Sequence, residues 1–180
     1  DVDDYRNVDP KLGTMDDFDA LAKAAHADGI KIVVDIVPNH SSNLHEWFKA
    51  ALAAKPGSPE RGRYIFRDGK GPNGDEPPTN WQNHFGGPAW TRVPDGQWYL
   101  HMFTKEQPDW NWKNEDVRAD FIKTLRFWLD HGADGFRVDV AHGLAKDLDR
   151  DDLDDYVVWC TNDQPEDGSH PVIDRDEVHD

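Results

Sequence analysis

Two short apolar runs constrain this chain more than anything else in it. Residues 30–37 are almost wholly apolar and rich in β-branched side chains. That is the composition of a strand covered on both faces of a parallel sheet. Residues 135–140 read as a second such strand. Each run follows a helix signal. Thr14 and Asp17 form a capping-box pattern, and Phe18, Leu21, Ala22 and Ala25 recur at helical spacing, with Gly29 as the residue that ends the helix. Asn114 caps the other helix, with Val117, Phe121, Leu125 and Trp128 on one face and Gly132 after it. A short helix over 45–54 precedes Pro56 and Gly57.

Between the two runs the periodicity fails. Residues 56–114 hold eight of the twelve prolines and five of the eight tryptophans. A structureless loop of that length is not expected inside a compact domain, so the segment reads as an irregular subdomain or a functional insertion. Residues 97–103 alternate weakly and predict a strand within it. The order is therefore helix, strand, insertion, helix, strand. Two strands cannot make a sheet with its own complete core. Parallel α/β order with a large insertion after one strand predicts part of a (β/α)₈ barrel. A doubly wound sheet has the same order, but no Gly-rich phosphate loop follows either run.

Charge narrows the partners. Twenty basic and 36 acidic residues give a net charge of -16, which repels phosphate backbones and anionic lipids. Nucleic-acid and membrane partners are therefore not expected. Aromatic residues make up 11% of the chain, and several lie in loop-like sequence, where a flat ring can cover one face of a sugar. A single cysteine, Cys160, forbids an internal disulfide and fits a cytoplasmic location. No signal peptide and no apolar run near 18 residues is found. The chain opens on Asp1 rather than Met and reads as the middle of a longer protein.

Arg137 and Asp139 are two apart on a strand, so their side chains leave the same face. Burying a lone charge there costs several kcal/mol, so the pair must satisfy itself or serve a ligand. Asp139 lies near the strand's C-terminal end, where barrel enzymes build their sites. An arginine neighbour favours the ionised carboxylate that a nucleophile needs. On spacing alone the pair reads either as a barrel-filling ion pair or as a catalytic carboxylate. The other run ends Asp35-Ile36-Val37-Pro38-Asn39-His40. Asp35 shares the polar-face logic, while Asn39 and His40 sit just past the strand. A neutral histidine at a barrel mouth can donate to a hydroxyl group; it can equally be a satisfied loop residue.

Here the residues match a family. Val-Asp-Ile-Val-Pro-Asn-His (34–40) resembles the first signature of the α-amylase family of glycoside hydrolases, and Gly-Phe-Arg-Val-Asp-Val-Ala-His (135–142) resembles the second. Gln-Pro-Asp-Trp-Asn-Trp (107–112) is similar to the signature of its oligo-1,6-glucosidase and α-glucosidase branch, with Trp110 in place of leucine. Phe-Gly-Gly-Pro-Ala-Trp (85–90) and Trp-Tyr-Leu-His-Met-Phe (98–103) are also similar to that branch. The five motifs are collinear and cover nearly the whole chain.

The resemblance implies a retaining mechanism. Asp139 matches the nucleophile, Arg137 the arginine that orients it and contacts the glucose, and His40 the histidine that binds the glucose where the bond is cut. Asp35 and Asn39 match mainly structural positions, although the asparagine binds calcium in many amylases. Phe103 and Phe85 match aromatics lining the insertion side of the pocket, and Gln107 lies near the aglycone side. His142 falls where other members keep a lysine that touches the departing sugar. In this reading residues 1–55 carry a helix, the barrel's third strand and the start of the insertion. Residues 56–114 are the family's domain B, and residues 115–180 carry a helix, the fourth strand, its loop and the start of the next helix.

The general acid, a glutamate at the end of the next strand, is not matched by any residue here; Glu177 does not fit it. A tyrosine that stacks on the glucose should directly precede Asp1. The 180 residues alone are therefore expected to be inactive and poorly folded. The implied substrate is the non-reducing glucose of short α-1,4- or α-1,6-glucosides, with Val140 after the nucleophile accompanying α-1,6 cleavage. The alternatives are a transglycosylating or isomerising relative, such as a trehalose synthase or sucrose isomerase, and a non-catalytic relative such as an amino-acid-transporter heavy chain. No cofactor is required; the resemblance leaves room for a structural calcium in the full-length enzyme, but nothing in these residues supports one, and no other metal is expected.

Three weaker signals carry less. Asp147, Asp149 and Asp151 have the opening spacing of a calcium loop, but Asp152 replaces the needed glycine and Val158 the closing glutamate. His45-Glu46 lacks the second histidine of a zinc helix, since Lys49 stands there. Asn39-His40-Ser41 matches a glycosylation sequon only formally.

Overall fold

The computed structural model describes residues 1–156 and 169–179. Cys160 and Val158 lie outside the described residues. The capping box forms as expected: the Thr14 hydroxyl accepts from the backbone N–H of Asp17, whose carboxylate accepts from the backbone N–H of Thr14. Helix α1 (Met15–Ala27) follows, and Gly29 takes the left-handed conformation just past its end, with φ +73°. Strand β1 (Val33–Ile36), helix α2 (Glu46–Ala53) and the one-turn helix α3 (Pro59–Gly62) come next. His45 is the N-cap of α2, its ring nitrogen accepting from the N–H of Trp47. That is a structural role, in place of a metal-ligand one.

The insertion folds as a three-stranded antiparallel sheet. Strands β2 (Phe66–Asp68) and β3 (Trp90–Arg92) both pair with β4 (Gln97–Leu100), in the order β2-β4-β3. Helix α4 (Glu115–Asp130), capped by Asn114, leads into β5 (Gly135–Val138). β1 and β5 pair in parallel, with Asp35 opposite Arg137 and Ile36 opposite Val138. This register brings the C-terminal ends of both strands, and the segments beyond them, to one place.

Two of the sequence expectations need correction. Both strands are shorter than their apolar runs, since 30–32 and 139–140 lie outside the ladder. They are also not covered on both faces: Val33 is 61% and Val138 48% exposed. Coverage in a parallel sheet comes from flanking strands and helices, and within these residues each strand has one neighbour.

The core lies between the strand pair and the insertion. Tyr5, Ile36, Phe48, Tyr64, Tyr99, Trp110, Val117 and Phe121 belong to one buried cluster drawn from the N-terminal segment, β1, α2, the insertion and α4. Trp110 is its hub. It stacks on Tyr64 at 4.3 Å, meets Phe121 edge-on, and donates its indole N–H to the Tyr5 hydroxyl at 3.3 Å. That hydroxyl in turn donates to the carbonyl oxygens of Val37 and His40. A second cluster, including Ile65, Trp81, Trp90, Leu100, Met102 and Leu148, joins the insertion to the segment after β5. Arg67 and Lys113 both pair with Asp149, Lys70 pairs with Asp154, and Trp81 donates to the carbonyl of Leu153. Asp149 is thus occupied by protein cations instead of opening a calcium loop. Among the described residues, no helix is long and apolar enough to cross a membrane.

Removing the hub should be felt across the fold. Trp110→Ala is expected to lower the unfolding free energy by about 3–5 kcal/mol. The milder Trp110→Leu retains much of the apolar contact and should cost roughly half as much. Denaturant midpoints of the whole protein measure both, and a Trp110→Ala loss under about 1 kcal/mol would contradict the assignment.

Candidate active site

Arg137 bridges the two strands. Its Nη1 donates to Asp35 Oδ2 at 2.6 Å and its Nη2 donates to Asp139 Oδ1 at 2.8 Å. Asp35 is therefore the second anchor of the arginine. Asp139 continues the ladder by one bond, its N–H donating to the Ile36 carbonyl, and it sits just past the strand. The next residue, Val140, is held in the left-handed region at φ +54°. For a β-branched residue that conformation costs roughly 1–3 kcal/mol. It turns the chain sharply into a 3₁₀ turn, Ala141–Gly143, and leaves Asp139 at the corner. The guanidinium and both carboxylates are open to solvent here, so the pair does not bear the burial cost anticipated from the sequence.

The residues after β1 are buried. Asn39 and His40 are 1% and 4% exposed. Desolvation by burial lowers the pKa of His40 below its ordinary value, outweighing the opposing pull of the Asp109 carboxylate and, after it, of Asp139. The Nε2 of His40 faces the Gln107 amide at 3.1 Å and lies 3.5 Å from Asp1 Oδ1. Gln107 is fixed in turn, because its Oε1 accepts from the N–H and hydroxyl of Thr104. Phe103 lies between two histidine rings, 4.9 Å from His40 and stacked on His84 at 4.1 Å. Phe85 approaches Phe103 at 6.4 Å but is itself 72% exposed. His142 is exposed on the 3₁₀ turn, where its carbonyl accepts from the N–H of Asp174. Thus Asp35, Arg137 and Asp139 form one cluster, and His40, Gln107 and Phe103 a second beside it. Phe85 and His142 are on the exposed periphery.

Sequence reasoning missed a charged centre beneath these groups. Lys146 and Asp109 are both buried, with Nζ 3.1 Å from Asp109 Oδ2. Nζ also donates to Asn39 Oδ1 at 3.0 Å and to the Gly143 carbonyl at 2.5 Å. Asp109 Oδ1 accepts from the Met102 N–H and from Asn39 Nδ2. Oδ2 accepts no aligned hydrogen bond, so the ammonium holds it by charge across a short distance. A Cβ at Gly143 would stand 3.2 Å from Asn39 Oδ1, so any larger residue there would press on the amide that holds the lysine. The residues do not fit the calcium that the family implies at Asn39: the ammonium already fills the cage made by Asn39, Asp109 and Gly143. Among the described residues no group of three or more histidine, cysteine or acidic side chains could hold a metal. Asp109 was legible, since it lies inside the 107–112 motif and an aspartate between Pro108 and Trp110 needs a partner. Nothing local marked Lys146 as that partner. The engaged amide of buried Asn39 also removes the sequon.

Two outcomes follow from this geometry. Lys146→Met strands a buried carboxylate and should cost about 3–5 kcal/mol, most of it recovered by adding Asp109→Asn; thermal or denaturant unfolding measures both. Burial lowers the pKa of His84 to about 4. An unfolded histidine titrates near 6.5, so the folded protein binds fewer protons between these values. That stability is present above about pH 6.5 and is lost as the pH falls towards about 4. His84→Phe keeps the stack on Phe103 and should flatten part of the fall in denaturant midpoint; an unchanged slope would contradict the assignment.

The chain was compared with known proteins. The model of the α-amylase catalytic domain matches residues 1–174. An oligo-1,6-glucosidase of Heyndrickxia coagulans is 46% identical over 155 residues, which is 86% of this chain and 27% of that protein. A crystal structure of the trehalose-6-phosphate hydrolase of Bacillus licheniformis superposes with a TM-score of 0.83 at 40% identity, covering 99% of this chain and 30% of that one. The trehalulose synthase of Pseudomonas mesoacidophila MX-45 superposes with a TM-score of 0.77 at 44% identity, over 82% and 26% of the two chains. The chain thus spans between a quarter and a third of the length of these relatives. With a family model matching nearly all of its residues, and relatives at 40–46% identity that match most of its length, the chain belongs to the α-amylase family of glycoside hydrolases.

Proposed function

We propose that this chain supplies the nucleophile side of a retaining α-glucosidase site, and that Asp139 is the nucleophile. One observation carries the reading. Arg137 holds Asp35 with one arm and Asp139 with the other, so the Asp139 carboxylate is fixed at the corner after β5. β1 and β5 are then the third and fourth strands of a (β/α)₈ barrel, and residues 56–114 are the domain B that walls one side of its cleft.

In this reading a carboxylate oxygen of Asp139 attacks the anomeric carbon of the non-reducing glucose. The bond from that carbon to the leaving oxygen breaks, and the leaving oxygen takes a proton from a general acid about 5 Å from the nucleophile. None of the residues here is assigned that role. Water then attacks the glucosyl ester, giving its proton to the same acid, now a base. Net retention follows from two inversions. His40, neutral and buried, donates to a glucose hydroxyl. Phe103 and Phe85 line the pocket from the insertion side, while Gln107 and the peripheral His142 face the departing sugar.

The substrate proposed is a short α-1,4- or α-1,6-glucoside. A second reading, a transglycosylase or isomerase, is supported by the likeness to the trehalulose synthase. It shares every step up to the glucosyl ester and differs in what attacks next. The likeness to a trehalose-6-phosphate hydrolase leaves the leaving group's identity open within the same chemistry.

The test uses the whole protein with isomaltose, maltose and sucrose. Proton NMR of the first turnovers should show α-glucose as the initial sugar released, or a rearranged disaccharide for the isomerase reading. Asp139→Asn should lower kcat/KM by on the order of 10⁴-fold or more. Initial release of β-glucose, or an Asp139→Asn enzyme within about tenfold of wild type, would overturn the proposal.

A further inference from the structure

We propose that Lys146 and Asn39 are positioning residues that hold His40 as the Nε2–H tautomer, so that its proton points out of the core. The direction of each hydrogen bond is set by what its partner can do. An ammonium only donates. The Asn39 atom 3.0 Å from Lys146 Nζ is therefore its oxygen, which turns the amide nitrogen towards Asp109 and His40. That nitrogen lies 3.1 Å from His40 Nδ1 and also only donates. Nδ1 must accept, and the single proton of a neutral imidazole is left on Nε2.

A competing donor exists. Gln107 Nε2 faces His40 Nε2 at 3.1 Å, and it too must donate, because Gln107 Oε1 is held by the Thr104 N–H. Both ring nitrogens thus face an amide donor, and a neutral ring can accept from only one. Burial decides between them. Asn39 is locked by a buried ion pair, and a buried donor left unmet bears its full desolvation penalty. Gln107 and Asp1 are partly exposed, so Gln107 can turn its second proton to solvent. Asp1 Oδ1 then accepts from Gln107 Nε2 at 3.1 Å and stands 3.5 Å from His40 Nε2–H. The network runs one way, from Lys146 through Asn39 and His40 to Asp1. Its far end is the His40 Nε2–H, left facing the exposed side where Asp1 Oδ1 already accepts from Gln107. In the site proposed above, the His40 Nε2–H is the donor offered to a glucose hydroxyl.

The consequence for substrate rests on the glycosidase reading, but the tautomer does not. The test is long-range proton–nitrogen NMR of the whole protein labelled with ¹⁵N-histidine, with His40 identified by the signal lost in His40→Gln. Wild-type His40 should show a protonated Nε2 and an unprotonated Nδ1. Asn39→Asp replaces the donor facing Nδ1 by an acceptor of the same size, so Nδ1 should gain a proton, and kcat/KM should fall at least tenfold. A wild-type ring protonated on Nδ1, or an Asn39→Asp ring unchanged from wild type, would overturn the proposal. Should Asn39→Asp not fold, the wild-type spectrum still decides. Failure of the glycosidase reading would look different: the predicted spectrum without turnover of any glucoside.

Discussion

A buried lysine–aspartate pair organises this molecule. Lys146 comes from the segment after β5, and Asp109 from the end of the insertion. Asn39, between them, comes from the loop after β1. No two of these are near in sequence, yet each charge is tolerable only because the others are there. Removing water from one ion costs several kcal/mol, and only good geometry with further hydrogen bonds offsets it. The pair therefore acts as a register pin: it forms only when the ends of both strands and the insertion are all in place.

The rest of the site hangs from that pin. Above it, the loop after β1 is tied to the 108–110 segment by backbone bonds from Ser41 to Pro108 and from Trp110 to Asn39. Those bonds present His40 and Gln107 together. Beside it, the left-handed turn at Val140 carries the chain from Asp139 into the 3₁₀ turn whose Gly143 carbonyl caps the ammonium. The strain at Val140 is thus held by a contact to the same lysine. The exposed cluster of Asp35, Arg137 and Asp139 and the buried one around His40 are two ends of one construction.

The sequence made the periodic elements legible. Thr14, Asn114, Gly29 and Gly132 mark real helix ends because capping is local chemistry. The Arg137–Asp139 contact was legible too, since alternation along a strand puts i and i+2 on one face. Asp35 as the second anchor was not, because the parallel register that sets it opposite Arg137 is a tertiary fact. Strand length and coverage were overstated, because an apolar run reports what a sheet would bury and not which neighbours are present. The insertion's three short strands left little pattern, as most of their stability comes from aromatic contacts distant in sequence. Lys146 was illegible for the same reason: a lysine in an acidic stretch looks solvated until its partner, 37 positions away, is known.

The central claim is that the carboxylate at the corner after β5 forms a bond to sugar carbon. The direct measurement is peptide mapping of the whole protein after exposure to a slow fluoroglucosyl fluoride, which accumulates the covalent intermediate. One glucosyl adduct is expected, on the peptide containing residues 135–142 and localised to Asp139 by fragmentation. An adduct on any other residue, or steady inactivation-free turnover with no adduct at all, would contradict it.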